Sequence, residues 1–197
     1  MPECYDKPIW TIDQLLRVMP RVPAQLRRVA PTVLGRRLSN AFRERIMLAV
    51  AVQNRCRYCQ LAHTSFGQAA GLSPREVQAI LGDEDLSSLA PRERLALAYV
   101  RDLTRREFAS RDESMRQQMA AQFDEETLKV IEATAELMNL ANRFGNTFDA
   151  LLARLCSRDC SGAGWTDLAL LAPMFLLGGA VVAPWVGLIW LIRGVRG

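Results

Sequence analysis

The chain has 197 residues, 50% of them hydrophobic, and a formal net charge of +4. This length allows one domain with a real core plus an appendage. The positive residues are nearly all arginines interspersed with Asp and Glu, a mixture typical of solvated helix surfaces. Because no dense basic stripe is present, we expect no nucleic-acid partner.

The five cysteines comprise one isolated residue, Cys4, and two close pairs, Cys56 with Cys59 and Cys156 with Cys160. The N-terminal stretch MPECYDKPIW has no apolar region of the kind found in cleavable secretory signals. We therefore expect a cytoplasmic, reducing environment. In that environment close cysteine pairs are more often catalytic or metal-binding than structural crosslinks.

Helical periodicity recurs along the chain, and strand signals are almost absent. Pro20 and Pro23 separate two short opening helices. The segment SNAFRERIMLAVAVQN then predicts a helix that breaks at Asn54, and the next helix contains the CxxC stretch and closes at Gly71. The prediction is therefore a series of short helices, with the cysteine pair at the start of one of them.

Three further helices are indicated by their starting residues. Ser73 and Glu76 have the spacing of a capping box, and Pro91 occupies a favoured first helical position. A short helix over residues 112–122 follows.

A long helical pattern closes the first part of the chain. Asp124 is its predicted cap, and we expect Gly145 to weaken it. The sum is an all-α domain of about seven helices over residues 1–155, followed by a linker over residues 156–166.

The composition then changes to a hydrophobic C-terminal segment, residues 167–193, with no charge between Leu168 and Ile192. A helix of the 25 residues from Leu168 to Ile192 would cover roughly 37 Å, enough for a hydrocarbon core of about 30 Å. Tryptophan and arginine near its ends fit interfacial anchoring, at Trp165, Trp185, Trp190, Arg193 and Arg196. We therefore expect a cytoplasmic domain anchored to the inner membrane. The alternative is a helix buried at an oligomer interface.

The chemistry concentrates in NRCRYCQLAH, residues 54–63, which holds the only histidine of the chain. If Cys56 opens a helix, Cys59 and His63 follow at one-turn intervals on the same face. The helix N-terminus favours thiolates, and two cysteines at this spacing can close a disulfide, one attacking and the other resolving. His63 can take a thiol proton if another group orients it, and Glu44 in the preceding apolar helix is the candidate.

A zinc site is the alternative, with Cys56, Cys59 and His63 as ligands and Glu44 or the Cys156 and Cys160 pair completing it. Structural zinc usually draws on loops, whereas these ligands lie along one helix, so we expect no metal. Arg57 and Tyr58 are interpreted as local tuning or packing residues. Cys156 and Cys160 are open to three interpretations, as lipidated, redox-active or unpaired thiols, and no role is predicted for Cys4.

The spacing of Glu44, Cys56, Cys59 and His63 resembles that of the AhpD-like alkylhydroperoxidases, the CxxC-containing, peroxidase-related branch of the carboxymuconolactone decarboxylase superfamily. The segments LSPREVQAIL, LAPRERLALAYVRDLTR and ELMNLANRFGNTFDALL are similar to later helices of that branch. The resemblance covers residues 10–155 approximately. It implies an AhpD-like helical domain that forms homo-oligomers, commonly trimers or hexamers.

The resemblance further implies a thiol-dependent alkyl hydroperoxidase or disulfide reductase. Cys59 would attack the peroxide, Cys56 would resolve, and His63 with Glu44 and a water would relay the proton. No cofactor would be bound permanently, and a dithiol such as dihydrolipoamide, or a lipoyl-bearing protein, would reduce the disulfide. The lactone decarboxylases of the superfamily lack this CxxC. Tyr58 stands where some relatives carry histidine, and the apolar tail is outside the usual core.

Two alternatives keep other functions open. The dithiol could serve a non-peroxidatic thiol–disulfide oxidoreductase or a redox sensor. The chain could also be a membrane-tethered helical scaffold whose cysteines are inert or bind zinc.

Overall fold

The fold is known from a computed structural model that describes residues 5–82, 86–156 and 163–194. These residues form nine α-helices and two short 3-10 helices, with no β-strand among them, which confirms the all-α class and the hydrophobic C-terminal helix. Eight of the α-helices precede residue 156, where about seven were predicted. The α-helices are α1 Ile12–Val18, α2 Val22–Val29, α3 Asn40–Gln53, α4 Arg57–Ala69, α5 Pro74–Gly82, α6 Pro91–Arg105, α7 Glu113–Gln122, α8 Glu125–Leu155 and α9 Trp165–Gly194, and the 3-10 helices are Met19–Arg21 and Ala30–Leu34.

The predicted helix starts are present. The Ser73 hydroxyl accepts from the Glu76 backbone N–H at 3.2 Å, and the Glu76 carboxylate accepts from the Ser73 N–H at 2.9 Å. Asp124 accepts from the Thr127 N–H at 2.9 Å and caps α8. Helix α8 runs through Gly145 without interruption, so the glycine does not end the helix, and the predicted weakening stays a prediction. Packing of α8 against its neighbours outweighs the low helix propensity of one glycine.

Helix α3 lies at the centre of the molecule and packs against α4, α6 and α8. Its apolar residues are almost completely buried, which removes most of their surface from water and stabilises the fold. They include Ile46, Leu48, Ala49, Val50 and Ala51. Because α3 is surrounded on most sides, its Glu44 is carried into the interior and is only 3% exposed.

The N-terminal segment joins the last two helices to the rest. The Trp10 N–H donates to the Thr147 hydroxyl at 2.9 Å, and the Trp10 indole donates to the Leu140 carbonyl at 3.0 Å. The Ile12 N–H donates to the Asp167 carboxylate at 2.9 Å. Contacts between residues so far apart in sequence hold α8 and α9 against the start of the chain.

Helix α9 is divided along its length. The 24 residues from Trp165 to Leu188 include an 18-residue stretch with a mean hydropathy of 1.9, and this part of the helix is long and apolar enough to cross a membrane. Near the start of the helix, Leu168 and Leu171 are buried. Most large apolar side chains beyond them are exposed: Met174, Leu176, Leu177, Val181, Val182, Trp185, Leu188 and Leu191. Length and composition fit both an anchor and a helix covered by another surface. The side chains of Trp190 and Arg193, and Arg196, lie outside the described residues, and the division at residues 155 and 167 stays a prediction.

Candidate functional site

A tight turn between α3 and α4 positions the first cysteine. Asn54 ends α3, Arg55 has a left-handed φ of 55°, and Cys56 is the N-cap of α4. A non-glycine residue in this region costs about 1–2 kcal/mol, so surrounding contacts must hold it. Two buried amides of α8 do so: the Asn54 side chain donates to Asn139 at 3.0 Å, and Asn146 donates to the Asn54 carbonyl at 2.8 Å.

The two thiols of the CxxC stretch lie side by side. Their sulfur atoms are 2.7 Å apart, and both cysteines are free. Cys56 is fully buried, whereas Cys59 is 9% exposed. The proximity of the sulfurs is what a reversible disulfide requires, because only a small movement separates the thiol pair from the bonded form.

The thiols titrate as a pair. The hydrogen bond between the Cys56 and Cys59 thiols lowers the pKa of Cys56 and outweighs burial, which raises it. The same hydrogen bond, followed by burial and the charge of Cys56, raises the pKa of Cys59, because a second thiolate would lie beside the first. The pair therefore gives up one proton readily and holds the other.

Gly145 makes room for this pair. A Cβ at this position would lie 2.9 Å from the Cys56 sulfur and 3.5 Å from a Tyr58 ring carbon. The glycine thus allows α8 to approach the start of α4 closely. Sequence analysis assigned it no such role, although an isolated glycine within a long helical pattern is a known sign of close packing.

His63 and Glu44 meet as predicted. The His63 Nδ1 lies 2.7 Å from one carboxylate oxygen of Glu44, and the Arg43 guanidinium donates to the other at 2.9 Å. Burial raises the pKa of Glu44, but the contacts with His63 and Arg43 outweigh it and bring the pKa below its ordinary value. The ionised carboxylate can only accept, so Nδ1 carries a proton and Nε2 is the ring nitrogen that remains for other partners.

Arg43 was not predicted as part of the site. Besides Glu44, it donates to the Thr32 carbonyl at 2.8 Å, so the guanidinium is itself fixed. The arginine compensates the buried carboxylate, which would otherwise lack a permanent positive partner.

A second carboxylate, Asp149 of α8, holds the start of α4. It accepts from the Tyr58 phenol at 2.7 Å and from the Arg57 guanidinium at 2.6 Å, and Lys7 lies 3.6 Å away. Burial and the bond to Asp149 raise the pKa of Tyr58, so the phenol remains a donor. The ring of Tyr58 lies 4.8 Å from that of Phe175 on α9, which ties all three helices together.

A cavity of about 460 Å³ lies between α4, α8 and α9. Cys59 and His63 line it from α4, Met138 and Phe144 from α8, and Gly178 and Val182 from α9, among others. Apart from the thiol, the imidazole and the Tyr58 phenol, the lining side chains are apolar. We call this cavity the thiol groove. Sequence analysis assigned no part of the site to α9.

In the part of the chain that the structure describes, no three His, Cys, Asp or Glu side chains gather into a metal-binding group. Cys156 is exposed and free, whereas Cys4 and Cys160 lie outside the described residues. The three interpretations of the second pair stay predictions.

A comparison with known protein families finds a match that includes the candidate site. Residues 20–102 match the model of the carboxymuconolactone decarboxylase family, and this range includes Glu44, Cys56, Cys59 and His63. The match confirms the superfamily predicted from the spacing of these residues. No curated protein and no solved structure matches the chain.

Proposed function

We propose that the protein is a thiol-dependent alkyl hydroperoxidase or disulfide reductase of the AhpD-like, peroxidase-related branch. One observation carries the proposal. Two free thiols 2.7 Å apart adjoin a groove that Cys59 shares with His63, whose ring is oriented by Glu44. A pair of thiols, a proton acceptor and access for a substrate are the components that a dithiol peroxidase needs.

The first step is attack by Cys59 on a hydroperoxide. The His63 Nε2 takes one proton from the thiol pair. The remaining proton then moves from the Cys59 thiol to the Cys56 thiolate across the S···S contact, which leaves the negative charge on Cys59, the cysteine that lines the groove. The Cys59 sulfur bonds to the terminal oxygen as the O–O bond breaks. The leaving alkoxide takes the proton from His63 and departs as an alcohol, with a sulfenic acid left on Cys59. Glu44 stabilises the transient imidazolium.

The second step closes the disulfide. The Cys56 sulfur attacks the Cys59 sulfenic acid, the S–S bond forms, and hydroxide leaves with the Cys56 proton as water. Two thiols have then given two electrons to the peroxide. An external dithiol of the dihydrolipoamide type, or a lipoyl-bearing protein, returns the electrons by thiol–disulfide exchange. No bound cofactor enters the cycle.

The assembly and location belong to the same proposal. The exposed apolar half of α9 supports association with the inner membrane through this helix, with the enzymatic domain in the cytoplasm. It equally supports coverage by further copies in a trimer or hexamer, because isolated soluble proteins rarely expose so much contiguous apolar surface.

The experiment is single-turnover oxidation of the reduced full-length chain by ethyl hydroperoxide, followed as thiol loss, with steady-state turnover on dihydrolipoamide beside it. We expect Cys59→Ser to abolish peroxide consumption and His63→Ala to slow it roughly 100-fold. Cys156→Ser removes an exposed free thiol and is the matched control that keeps the wild-type rate.

Peroxide consumption that is indifferent to Cys59→Ser would sink the proposal. Inertness toward peroxides with intact exchange of small disulfides would instead identify a thiol–disulfide oxidoreductase or redox sensor. Zinc released on denaturation, together with thiols protected until then, would identify the scaffold.

A further inference from the structure

Helix α9 forms one wall of the thiol groove. Its Phe175 packs on Tyr58 with ring centroids 4.8 Å apart and on Phe148 at 5.4 Å. Beyond Phe175, residues Gly178, Gly179 and Val182 line the same cavity as Cys59. The hydrophobic segment therefore contacts the space in which a substrate of the thiols would lie.

Two consecutive glycines keep this wall open. A Cβ added at Gly178 or Gly179 would meet no atom within 4 Å, although both residues line the groove. They differ in this respect from Gly145, where a Cβ would lie 2.9 Å from a sulfur. Close helix packing therefore does not explain the two glycines of α9. Because they lack side chains, the space along this wall of the groove stays empty.

The chemistry of the groove selects an apolar ligand with one reactive end. Its polar side chains are Cys59, His63 and Tyr58, all on α4, and Tyr58 is already bonded to Asp149. The α8 and α9 walls are apolar. A volume of about 460 Å³ is within the range of pockets that enclose small organic ligands. Each methylene buried there would tighten binding roughly fourfold.

We propose that the thiol groove binds the hydrocarbon chain of a long-chain alkyl hydroperoxide, with Gly178 and Gly179 as specificity-determining residues. The peroxide group lies at the α4 end, within reach of Cys59, and the chain extends along α9. This inference rests on the proposed function and uses its reaction: the peroxide is reduced to the alcohol and water while Cys56 and Cys59 are oxidised to the disulfide.

The test compares two hydroperoxides on the reduced full-length chain in a bile-salt-type detergent, whose rigid ring system is a poor mimic of an acyl chain. The readout is the ratio of thiol-oxidation rate constants for linoleic acid hydroperoxide and ethyl hydroperoxide. Gly178→Leu fills the groove without a backbone clash. We expect it to lower the ratio by about 10-fold or more, the scale of a steric mismatch in an apolar pocket.

Gly187→Leu is the matched control. A Cβ there also meets nothing within 4 Å, the residue belongs to the same helix, and it does not line the groove. We expect it to leave the ratio unchanged. Should Gly178→Leu fail to fold, as judged by circular dichroism, Val182→Phe fills the same space from a neighbouring position.

The outcomes separate the two proposals. If neither hydroperoxide oxidises the wild-type thiols, the proposed function fails and the inference with it. If both oxidise the thiols but the groove-filling variants keep the wild-type ratio, or Gly187→Leu lowers it equally, only the long-chain assignment is overturned. A further arm presents phosphatidylcholine hydroperoxide in vesicles. Sensitivity of that rate to Gly178→Leu supports a membrane lipid as the source of the chain, and sensitivity confined to the free acid supports a free fatty acid.

Discussion

Two buried carboxylates, Glu44 and Asp149, contact residues of helix α4, and the groups that they contact differ. Glu44 is 3% exposed and Asp149 is 7% exposed, and each accepts from an arginine. The further contact of Glu44 is the His63 imidazole at 2.7 Å, whereas that of Asp149 is the Tyr58 phenol at 2.7 Å. Both carboxylates are thus buried and compensated by an arginine. They differ in their further partner, which is the imidazole of His63 for Glu44 and the phenol of Tyr58 for Asp149.

The difference shows that a buried charge alone does not identify a catalytic group. Glu44 contacts an imidazole that lines the thiol groove, so in the proposed mechanism its charge acts on proton transfer. Asp149 holds Arg57 and Tyr58, so its charge acts mainly on the position of the α4 N-terminus. Its charge also raises the pKa of Cys56, while Lys7 lowers it, as secondary contributions after the bond to Cys59.

The largest expected effect comes from removing the charge of each carboxylate in turn. Glu44→Gln should slow peroxide-driven thiol oxidation roughly 100-fold, because the neutral amide no longer stabilises an imidazolium. Asp149→Asn is the matched control and should change the rate less than about fivefold, because the charge of Asp149 makes only a secondary contribution to the pKa of Cys56. Stopped-flow thiol oxidation of both variants measures this. Equal losses would remove the distinction between the two sites.

The next largest effect is expected from a substitution at Gly145, where α8 approaches the start of α4 closely. Gly145→Ala should lower the free energy of unfolding by about 1–3 kcal/mol, because the new methyl group displaces the Cys56 sulfur. Gly164→Ala is the control, since a Cβ there meets only an Asp167 oxygen at 3.6 Å. Urea unfolding of the reduced proteins gives both values. An unchanged stability for Gly145→Ala would mean that the two helices can separate at no cost.

The pH dependence of stability should distinguish Glu44 from a neutral amide. Its folded pKa lies below the ordinary value, so the carboxylate adds stability above its unfolded pKa of about 4.3 and loses that contribution as the pH falls through the folded pKa. The loss is at most about 1.4 kcal/mol per pH unit for one proton. We expect the stability advantage of wild type over Glu44→Gln to narrow below pH 4.5 approximately, as measured by chemical unfolding. Parallel curves would contradict the lowered pKa.

The smallest expected effect is that of the phenol. Tyr58→Phe removes one hydrogen bond to Asp149 and keeps the ring contact with Phe175, so it should cost about 1 kcal/mol of stability. Thermal unfolding measures this cost. A 10-fold slower peroxide reaction in the same variant would instead place the phenol in the chemistry.

The contacts that the sequence predicted well lie within one helix or between helices that are adjacent in the chain. The capping box at Ser73 and the placement of Cys56 and Cys59 next to each other follow from regular helical spacing. The meeting of Glu44 with His63 is a contact between the adjacent helices α3 and α4. The catalytic roles assigned to these residues stay predictions.

The residues that sequence analysis missed are joined by long-range packing. Asp149 meets the start of α4 across 91 and 92 positions of the chain, and no local periodicity encodes such a contact. The role of α9 as a groove wall was missed for the same reason, since uniform apolarity does not show which face meets a partner. Gly145 carried a usable signal, but it was interpreted as a weak point rather than as a close contact.

The bond between Ile12 and Asp167 has a consequence for folding during synthesis. The two residues are 155 positions apart. At about 5–20 residues per second, a ribosome needs roughly 8–30 s to make the acceptor after the donor. Throughout that interval the first helix lacks one of the partners that fix it in the finished fold, and the Trp10 indole, which ends 4% exposed, has no completed α8 to cover it. The segment from Trp10 to Ile12 leaves the ribosome before α8 and α9 and therefore waits for them before it reaches its final place.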